Sequence, residues 1–82
     1  MGKGYPLLDR AQVETILNNL HFYPKKRGGT SHTQWEGYVN GQREIVTVDH
    51  LKSKKEKYGR ELLSKMITQS GLSKKDFYSY LK

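Results

Sequence analysis

Eight consecutive residues combine groups that can hold a phosphate with groups that can move a proton. Residues 25–32 read Lys-Lys-Arg-Gly-Gly-Thr-Ser-His, so three cations and two glycines precede two hydroxyls and an imidazole. Glycine adopts positive φ at little steric cost, which lets backbone N–H groups come close to an anion. Histidine donates and accepts protons near neutral pH more readily than other side chains. The segment is therefore the first candidate for a catalytic site.

Metal-independent cleavage of RNA is a reaction that these groups can support. A base takes the proton of a ribose 2′-hydroxyl, the oxygen attacks the adjacent phosphorus, and cations or N–H groups stabilise the charge that grows on the phosphoryl oxygens. DNA has no 2′-hydroxyl and is excluded as a substrate. In this hypothesis His32 is the general base or acid, and Ser31 donates to the reacting group or orients the imidazole. The residues expected to hold the phosphate are Lys25, Lys26, Arg27 and Gly29.

The composition limits the chain to one small core without disulfides. Its 82 residues include no cysteine, which excludes disulfides, thiolate nucleophiles and zinc ribbons. The three histidines are too scattered for a convincing metal site, so neither a metal nor a cofactor is expected. We expect a single domain over residues 1–82, with a loose segment at residues 1–8.

The charge of the chain favours a polyanionic partner. The formal net charge is +7, and residues 51–82 hold nine cations and three anions, so this C-terminal part carries +6 of it. A concentrated basic surface binds nucleic acid through counterion release. A lysine face that serves only solubility is the alternative interpretation.

The hydropathy pattern gives no sign of a membrane segment. No apolar run is long enough to cross a bilayer, and residues 1–9 lack the hydrophobic core of a signal peptide. We therefore expect a soluble, cytoplasmic protein without a membrane partner.

Helical periodicity and capping signals predict three helices. The first spans residues 10–20, with Asp9 as its N-cap and Gln12 completing a capping box. The second spans residues 59–70, and a short third helix follows Ser73. Each helix has apolar residues on one side, as a helix that packs on a sheet requires.

A β-hairpin is predicted in the middle of the chain. Asn40-Gly41 is the preferred dipeptide of a two-residue type I′ turn, and it separates the predicted strands Thr30–Val39 and Gln42–Val48. With this turn, residues whose numbers sum to 81 lie opposite one another. A short edge strand is predicted within residues 21–26, because Pro24 lacks an N–H.

The register divides the hairpin into a covered face and an open face. His32 and Tyr38 lie on the open, polar face, where Tyr38 is the candidate to stack on a base. A bulge near Gly37 would move His32 to the other side. The apolar face, expected to lie under the helices, carries Trp35, Val39, Val46 and Val48.

The segment after the hairpin, residues 49–57, is predicted to be a flexible basic loop. Asp49 lies opposite His32 in the inferred register, where it can orient the imidazole or cap the loop. The candidate phosphate-binding residues of this loop are Lys52, Lys54 and Lys55.

The predicted order is one helix, three antiparallel strands, a second helix and a short C-terminal helix. This order is typical of a two-layer α+β domain in which both long helices cover one face of the sheet. It is also the α-β-β-β-α layout of double-stranded-RNA-binding domains.

Over residues 10–80 the chain resembles the HicA toxins of bacterial toxin–antitoxin systems. The resemblance rests on Gly29-Thr30-Ser31-His32 before the hairpin and on residues 45–50, which read Ile-Val-Thr-Val-Asp-His. It continues through residues 62–77 of the C-terminal helices. The chain departs from the family in having Thr30 inside the Gly-Ser-His segment, and in lacking the proline that many members have before the histidine at position 50.

The resemblance implies a fold, an activity and partners. It implies a double-stranded-RNA-binding-domain-like fold and an endoribonuclease that cuts mRNA with His32 as catalytic histidine. It also implies a HicB-type antitoxin as inhibitor. His50 is expected to be structural or to face the RNA rather than to act in catalysis, and His21 is expected to be an ordinary packing or surface residue.

Two other functions fit the same sequence. A non-catalytic RNA-binding module would use the same basic surface and bind without cutting. A structural protein associated with ribosomes is the more remote alternative.

Overall fold

The central hairpin forms around the turn that the sequence predicts. The computed structural model describes residues 5–25, 31–53 and 55–81, and in it strands β2 (His32–Val39) and β3 (Gln42–Asp49) pair antiparallel. Asn40 and Gly41 have φ values of 53° and 81°. Positive φ at both central residues defines the type I′ turn, whose twist matches that of the strands it joins.

The register of the hairpin is the predicted one. Trp35 lies opposite Val46, and the pairing runs without a bulge from the turn to His32 opposite Asp49. Gly37 faces Glu44 in this ladder. Because the register is unbroken, His32 lies on the open face as expected.

A third strand completes the sheet. Strand β1 (Tyr23–Lys25) pairs antiparallel with β2, so the sheet order is β1-β2-β3. Pro24 lies in the middle of this edge strand, where a residue without an N–H is tolerated. The strand is shorter than the predicted span of residues 21–26.

Helix α1 (Arg10–Asn19) begins at the predicted capping box. The Asp9 Oδ1 atom accepts a hydrogen bond from the Gln12 backbone N–H at 2.8 Å, and the Gln12 Oε1 atom accepts one from the Asp9 N–H at 2.9 Å. After the helix the chain reverses at His21, whose φ is 68°. This left-handed residue brings Phe22 back onto the sheet.

The two C-terminal helices also have the predicted ends. Helix α2 (Arg60–Ser70) ends at Gly71, which has a φ of 79°. Helix α3 (Lys74–Ser79) begins at Ser73, whose Oγ atom accepts a hydrogen bond from the Asp76 N–H at 3.1 Å. Glycine in the left-handed region and serine at the N-cap are the residues that these positions favour.

The core lies between the helices and one face of the sheet. The sheet contributes Trp35, Val46 and Val48, all buried. The helices contribute Val13, Ile16, Leu17, Leu63, Met66, Ile67 and Phe77. The fold is therefore the predicted α+β arrangement, with helices on the Trp35 face of a three-stranded antiparallel sheet.

Gly37 allows the chain before β1 to pack against β2. A Cβ atom at this position would lie 2.3–2.6 Å from three ring atoms of Phe22, which is buried. No side chain fits at such distances, so the glycine is required by packing and not by a bulge.

Residues 5–8, within the segment predicted to be loose, pack on the domain. Leu8 is fully buried, and the Tyr5 ring stacks on Tyr78 with centroids 4.6 Å apart. The Tyr78 hydroxyl donates a hydrogen bond to the Pro6 carbonyl oxygen at 2.7 Å. Residues 1–4 lie outside the described part of the chain.

Among the described residues, 5–25, 31–53 and 55–81, none of the helices has the length and apolar character needed to cross a membrane.

Candidate functional site

His32 is the first residue of β2, and its side chain is exposed on the open face of the sheet. Across the hairpin it pairs with Asp49, the last residue of β3. The imidazole therefore lies at the end of the sheet away from the Asn40-Gly41 turn, with a carboxylate residue as its neighbour on the same face. This is the open position that the sequence predicts for it.

The topology brings several of the predicted site residues to this same end of the sheet. Lys25 ends β1 and pairs with Gln34, two residues from His32. Ser31 is exposed, and its carbonyl oxygen accepts a hydrogen bond from the His50 N–H at 2.8 Å. The loop that carries Lys52 begins here as well. Ser31, His32 and the start of this loop thus lie at one end of the sheet, whereas the Lys25 ammonium group reaches back to Glu36 at the centre of the open face.

Lys52 and Lys55 are both exposed in this loop. Local hydrogen bonds hold its backbone: the Lys52 N–H donates to the Glu56 Oε1 atom at 2.8 Å, and the Lys55 N–H donates to the Ser53 Oγ atom at 3.0 Å. The loop therefore has defined turns, and its two described candidate cations point their charge toward solvent.

Part of the predicted site lies outside the described residues. These residues are Lys26, Arg27, Gly28, Gly29, Thr30 and Lys54.

His50 lies on the other side of the sheet from His32. Its Nε2 atom shares a hydrogen bond of 2.7 Å with the Thr33 hydroxyl, and Thr33 alternates with His32 along β2. Successive residues of a strand point to opposite faces. The two histidines therefore do not lie together on one face of the sheet.

The centre of the open face holds a three-residue ion cluster. Glu36 is only 7% exposed, and its carboxylate accepts hydrogen bonds from Arg43 and, at 3.1 Å, from Lys25. The hydrogen bond from Arg43, followed by that from Lys25, lowers the pKa of Glu36 to about 2, and the pKa of Arg43 is raised by the same contact. The ion pair with Glu36 thus orients the Lys25 side chain toward the centre of the open face.

Two exposed tyrosines lie beside the ion cluster. Tyr38, the predicted stacking residue, is 64% exposed, and Tyr23 is 51% exposed. Tyr23 pairs with Glu36 and so lies on the same face. Tyr38 is six residues from His32 along β2, or about 20 Å at the usual strand rise, so the structure does not bring these two together.

Two side chains from outside the sheet form hydrogen bonds to the backbone of β3 near His32. The Thr47 N–H donates to the Gln69 Oε1 atom at 2.9 Å, and the buried Tyr58 hydroxyl donates to the Asp49 carbonyl oxygen at 2.6 Å. Burial raises the pKa of Tyr58 to about 12, so the hydroxyl stays protonated and keeps this bond. The position of Asp49 is thereby fixed from outside the sheet.

Tyr23 and Gln69 are residues of this region that were not predicted from the sequence. Tyr23 could have been found by extending the alternation of faces to β1. Gln69 could not, because its contact depends on how α2 docks on β3. Across residues 5–25, 31–53 and 55–81, no three histidine or acidic side chains are grouped so that they could hold a metal ion.

No family model, curated protein or solved structure matches this chain.

Proposed function

We propose that this protein is a metal-independent endoribonuclease that cleaves mRNA, with His32 as its general base or acid. The observation that carries the proposal is the exposed imidazole at the end of the sheet, where the loop that carries the exposed cations Lys52 and Lys55 begins. A phosphate bound by these cations has its ribose beside His32. The same site without its imidazole would still bind RNA but would have no group to take the proton.

The reaction begins when His32 removes the proton of a 2′-hydroxyl group. The 2′ oxygen then forms a bond to the adjacent phosphorus, and the bond from phosphorus to the 5′ oxygen breaks. The departing 5′ oxygen takes a proton from water or from a lysine ammonium group. The products are a 2′,3′-cyclic phosphate and a 5′-hydroxyl end, and lysine side chains stabilise the charge on the phosphoryl oxygens in between.

The same proposal places the protein among HicA-type toxins with a double-stranded-RNA-binding-domain-like fold. It is supported by the helix, three-strand, helix order and by the motifs at residues 29–32 and 45–50. A HicB-type antitoxin would inhibit by covering His32 and by opposing the +7 charge with acidic groups. An open reading frame for such a protein next to this one would support the assignment directly.

The decisive experiment is an RNA digestion with EDTA present. The wild-type protein is expected to cut RNA and leave 5′-hydroxyl ends, and to leave DNA intact. His32→Ala is expected to lower the cleavage rate by about 100-fold or more, since positioned acid–base groups contribute about 10²–10⁴-fold. The variant should fold and bind RNA as before, because the imidazole is exposed.

His21→Asn serves as the matched control. It also removes an exposed imidazole, and asparagine tolerates the left-handed backbone of this position. Its cleavage rate should equal that of the wild type. Cleavage by His32→Ala at the wild-type rate would refute the mechanism, and cleavage that stops with EDTA would indicate a metal-dependent reaction instead.

A second candidate function is RNA binding without cleavage. It is favoured by Tyr23 and Tyr38, which expose aromatic rings on the open face beside Arg43. Such a face can stack bases whether or not His32 is catalytic. This alternative predicts salt-dependent binding, intact RNA after incubation and no effect of His32→Ala.

A further inference from the structure

A cavity of about 190 Å³ opens between the outer edge of β3 and α2, next to the proposed catalytic end of the sheet. Thr47 and Asp49 line it on the strand side, and Lys65, Met66 and Gln69 line it on the helix side. The proposed reaction makes no use of this cavity.

The cavity is preformed, because its walls are held by the contacts of the domain itself. Tyr58, which also lines it, is almost fully buried and donates its hydroxyl to the Asp49 carbonyl oxygen. Met66 belongs to the hydrophobic core. Gln69 is oriented by the hydrogen bond from the Thr47 N–H to its Oε1 atom. A fixed apolar floor with a few convergent polar groups is the usual form of a small-ligand site.

The polar groups of the cavity are divided into an acceptor side and a donor side. Asp49 has a carboxylate, which accepts hydrogen bonds when ionised. Lys65 and Gln69 lie one turn apart on α2 and so share a face. The Gln69 oxygen is already bonded to Thr47, so toward a ligand this side chain offers its amide N–H groups. Lys65 offers an ammonium group.

Among the four RNA bases, guanine matches this division. Its Watson–Crick edge presents two adjacent donors, N1–H and the N2 amino group, which a carboxylate can accept together, and beside them the acceptor O6. Adenine and cytosine each present one amino group next to a ring acceptor, and uracil presents one N–H between two acceptors. Only guanine offers both donors to the Asp49 side.

The cavity lies within one nucleotide of His32. Asp49 and His32 are cross-strand neighbours, and such pairs have Cα atoms about 4.5–5.5 Å apart. A nucleotide whose base enters the cavity past Asp49 therefore has its ribose and 3′ phosphate at the end of the sheet that carries the imidazole.

We propose that this cavity is a guanine-binding pocket, in which the Asp49 carboxylate accepts hydrogen bonds from N1–H and the N2 amino group while Lys65 donates one to O6. The role of the pocket rests on the proposed ribonuclease function, since in that function the pocket selects the base on the 5′ side of the cleaved bond. The binding of guanine itself does not depend on catalysis.

The test is a titration of the protein with each of the four nucleoside 3′-monophosphates, in which binding is monitored by NMR. Guanosine 3′-monophosphate should shift the signals of the Thr47 backbone amide and the Gln69 side-chain amide. It should bind at least about 10-fold more tightly than the other three, as a bidentate base contact allows. Asp49→Asn should remove this preference, and His32→Ala should keep it.

Charge-matched lysine variants provide the control. Lys65→Gln should weaken the binding of guanosine 3′-monophosphate, whereas Lys75→Gln, which removes the same charge from an exposed position of α3, should leave it unchanged. Equal weakening by both variants would mean that the nucleotide is held by general charge, and it would overturn the pocket.

Mapping the cleavage sites on RNA separates this proposal from the previous one. If the wild type cleaves after guanine and Asp49→Asn also cleaves after other bases, both the pocket and the ribonuclease function are supported. Cleavage by the wild type without base preference overturns the pocket and leaves the ribonuclease. Selective binding of guanosine 3′-monophosphate without any cleavage supports the pocket and overturns the ribonuclease. If Asp49→Asn slows cleavage equally at all sites and leaves nucleotide binding unchanged, Asp49 acts on His32 and the pocket is wrong.

Discussion

At the scale of single residues, Glu36 connects the stability of the sheet to pH. Its carboxylate is shielded from solvent and accepts hydrogen bonds from Arg43 and Lys25, one on each neighbouring strand. A carboxylate that gains such partners on folding has a lower pKa in the folded chain than in the unfolded chain. The pair of contacts therefore stabilises the sheet only while Glu36 is ionised.

The sign of the pH dependence follows from the pKa of Glu36, which falls from 4.5 to about 2 on folding. Its contribution to the free energy of unfolding is complete above about pH 4.5 and is lost as the pH falls through about 2. We expect Glu36→Gln to be less stable than the wild type at pH 7, and the difference to shrink toward pH 2. Urea denaturation at a series of pH values measures both quantities. A difference that stays constant from pH 7 to pH 2 would contradict the assignment.

The two exposed tyrosines provide a second prediction at this scale. If Tyr23 and Tyr38 stack on bases, replacing either with alanine should weaken the binding of single-stranded RNA by about 1–3 kcal/mol. Tyr80→Ala is the control, because Tyr80 is also exposed but belongs to the helical layer. Fluorescence anisotropy with a short labelled RNA measures the affinities. Equal losses for all three variants would argue against a stacking surface on the sheet.

At the scale of elements, the contact between Phe22 and Gly37 fixes how the end of α1 meets the sheet. Gly37→Ala places a Cβ atom within 2.6 Å of the Phe22 ring, so the ring must move. We expect the variant to lose about 1–3 kcal/mol of stability, as overpacked core positions do. Gly59→Ser is the control, because its side chain enters open space at a helix N-cap and should be neutral or slightly stabilising.

A double-mutant cycle shows whether the loss comes from this contact. Phe22→Leu shortens the side chain that faces Gly37, so the two substitutions together should cost less than the sum of their separate costs. Chemical denaturation of the four proteins gives the coupling free energy. Additive costs would mean that Gly37 is needed for some reason other than Phe22.

What the sequence could predict at this scale was local. The Asn40-Gly41 turn sets the register of β2 and β3 because two residues with positive φ leave the hairpin no other pairing. The N-cap hydrogen bonds at Asp9 and Ser73 likewise join residues three positions apart. The register of β1, and with it the ion pair between Lys25 and Glu36, depends on Phe22 packing over Gly37. The cavity beside Asp49 depends on how α2 docks. Such contacts join residues that are distant in the sequence, so no local sequence pattern predicts them.

At the scale of the whole molecule, the layering separates two kinds of charge. The sheet face carries cations that are partly neutralised by Glu36, whereas the loop after β3 presents Lys52 and Lys55 to solvent without an ion pair among the described residues. This loop and His32 lie at the same end of the sheet. The electrostatic contribution to RNA binding should therefore come mainly from that end of the sheet, and not evenly from all the cations of the chain.

The salt dependence of RNA binding tests this distribution of charge. Each phosphate contact with single-stranded nucleic acid adds about 0.7 to the slope of log K against log salt concentration. Replacing both Lys52 and Lys55 with glutamine should therefore reduce the slope by about 1.4, while Lys75→Gln in the helical layer should leave it unchanged. The slopes are obtained from anisotropy titrations at several salt concentrations with the His32→Ala protein, which keeps the RNA intact. An unchanged slope in the double variant would mean that the phosphates lie elsewhere, and the proposed placement of the RNA beside His32 would have to be abandoned.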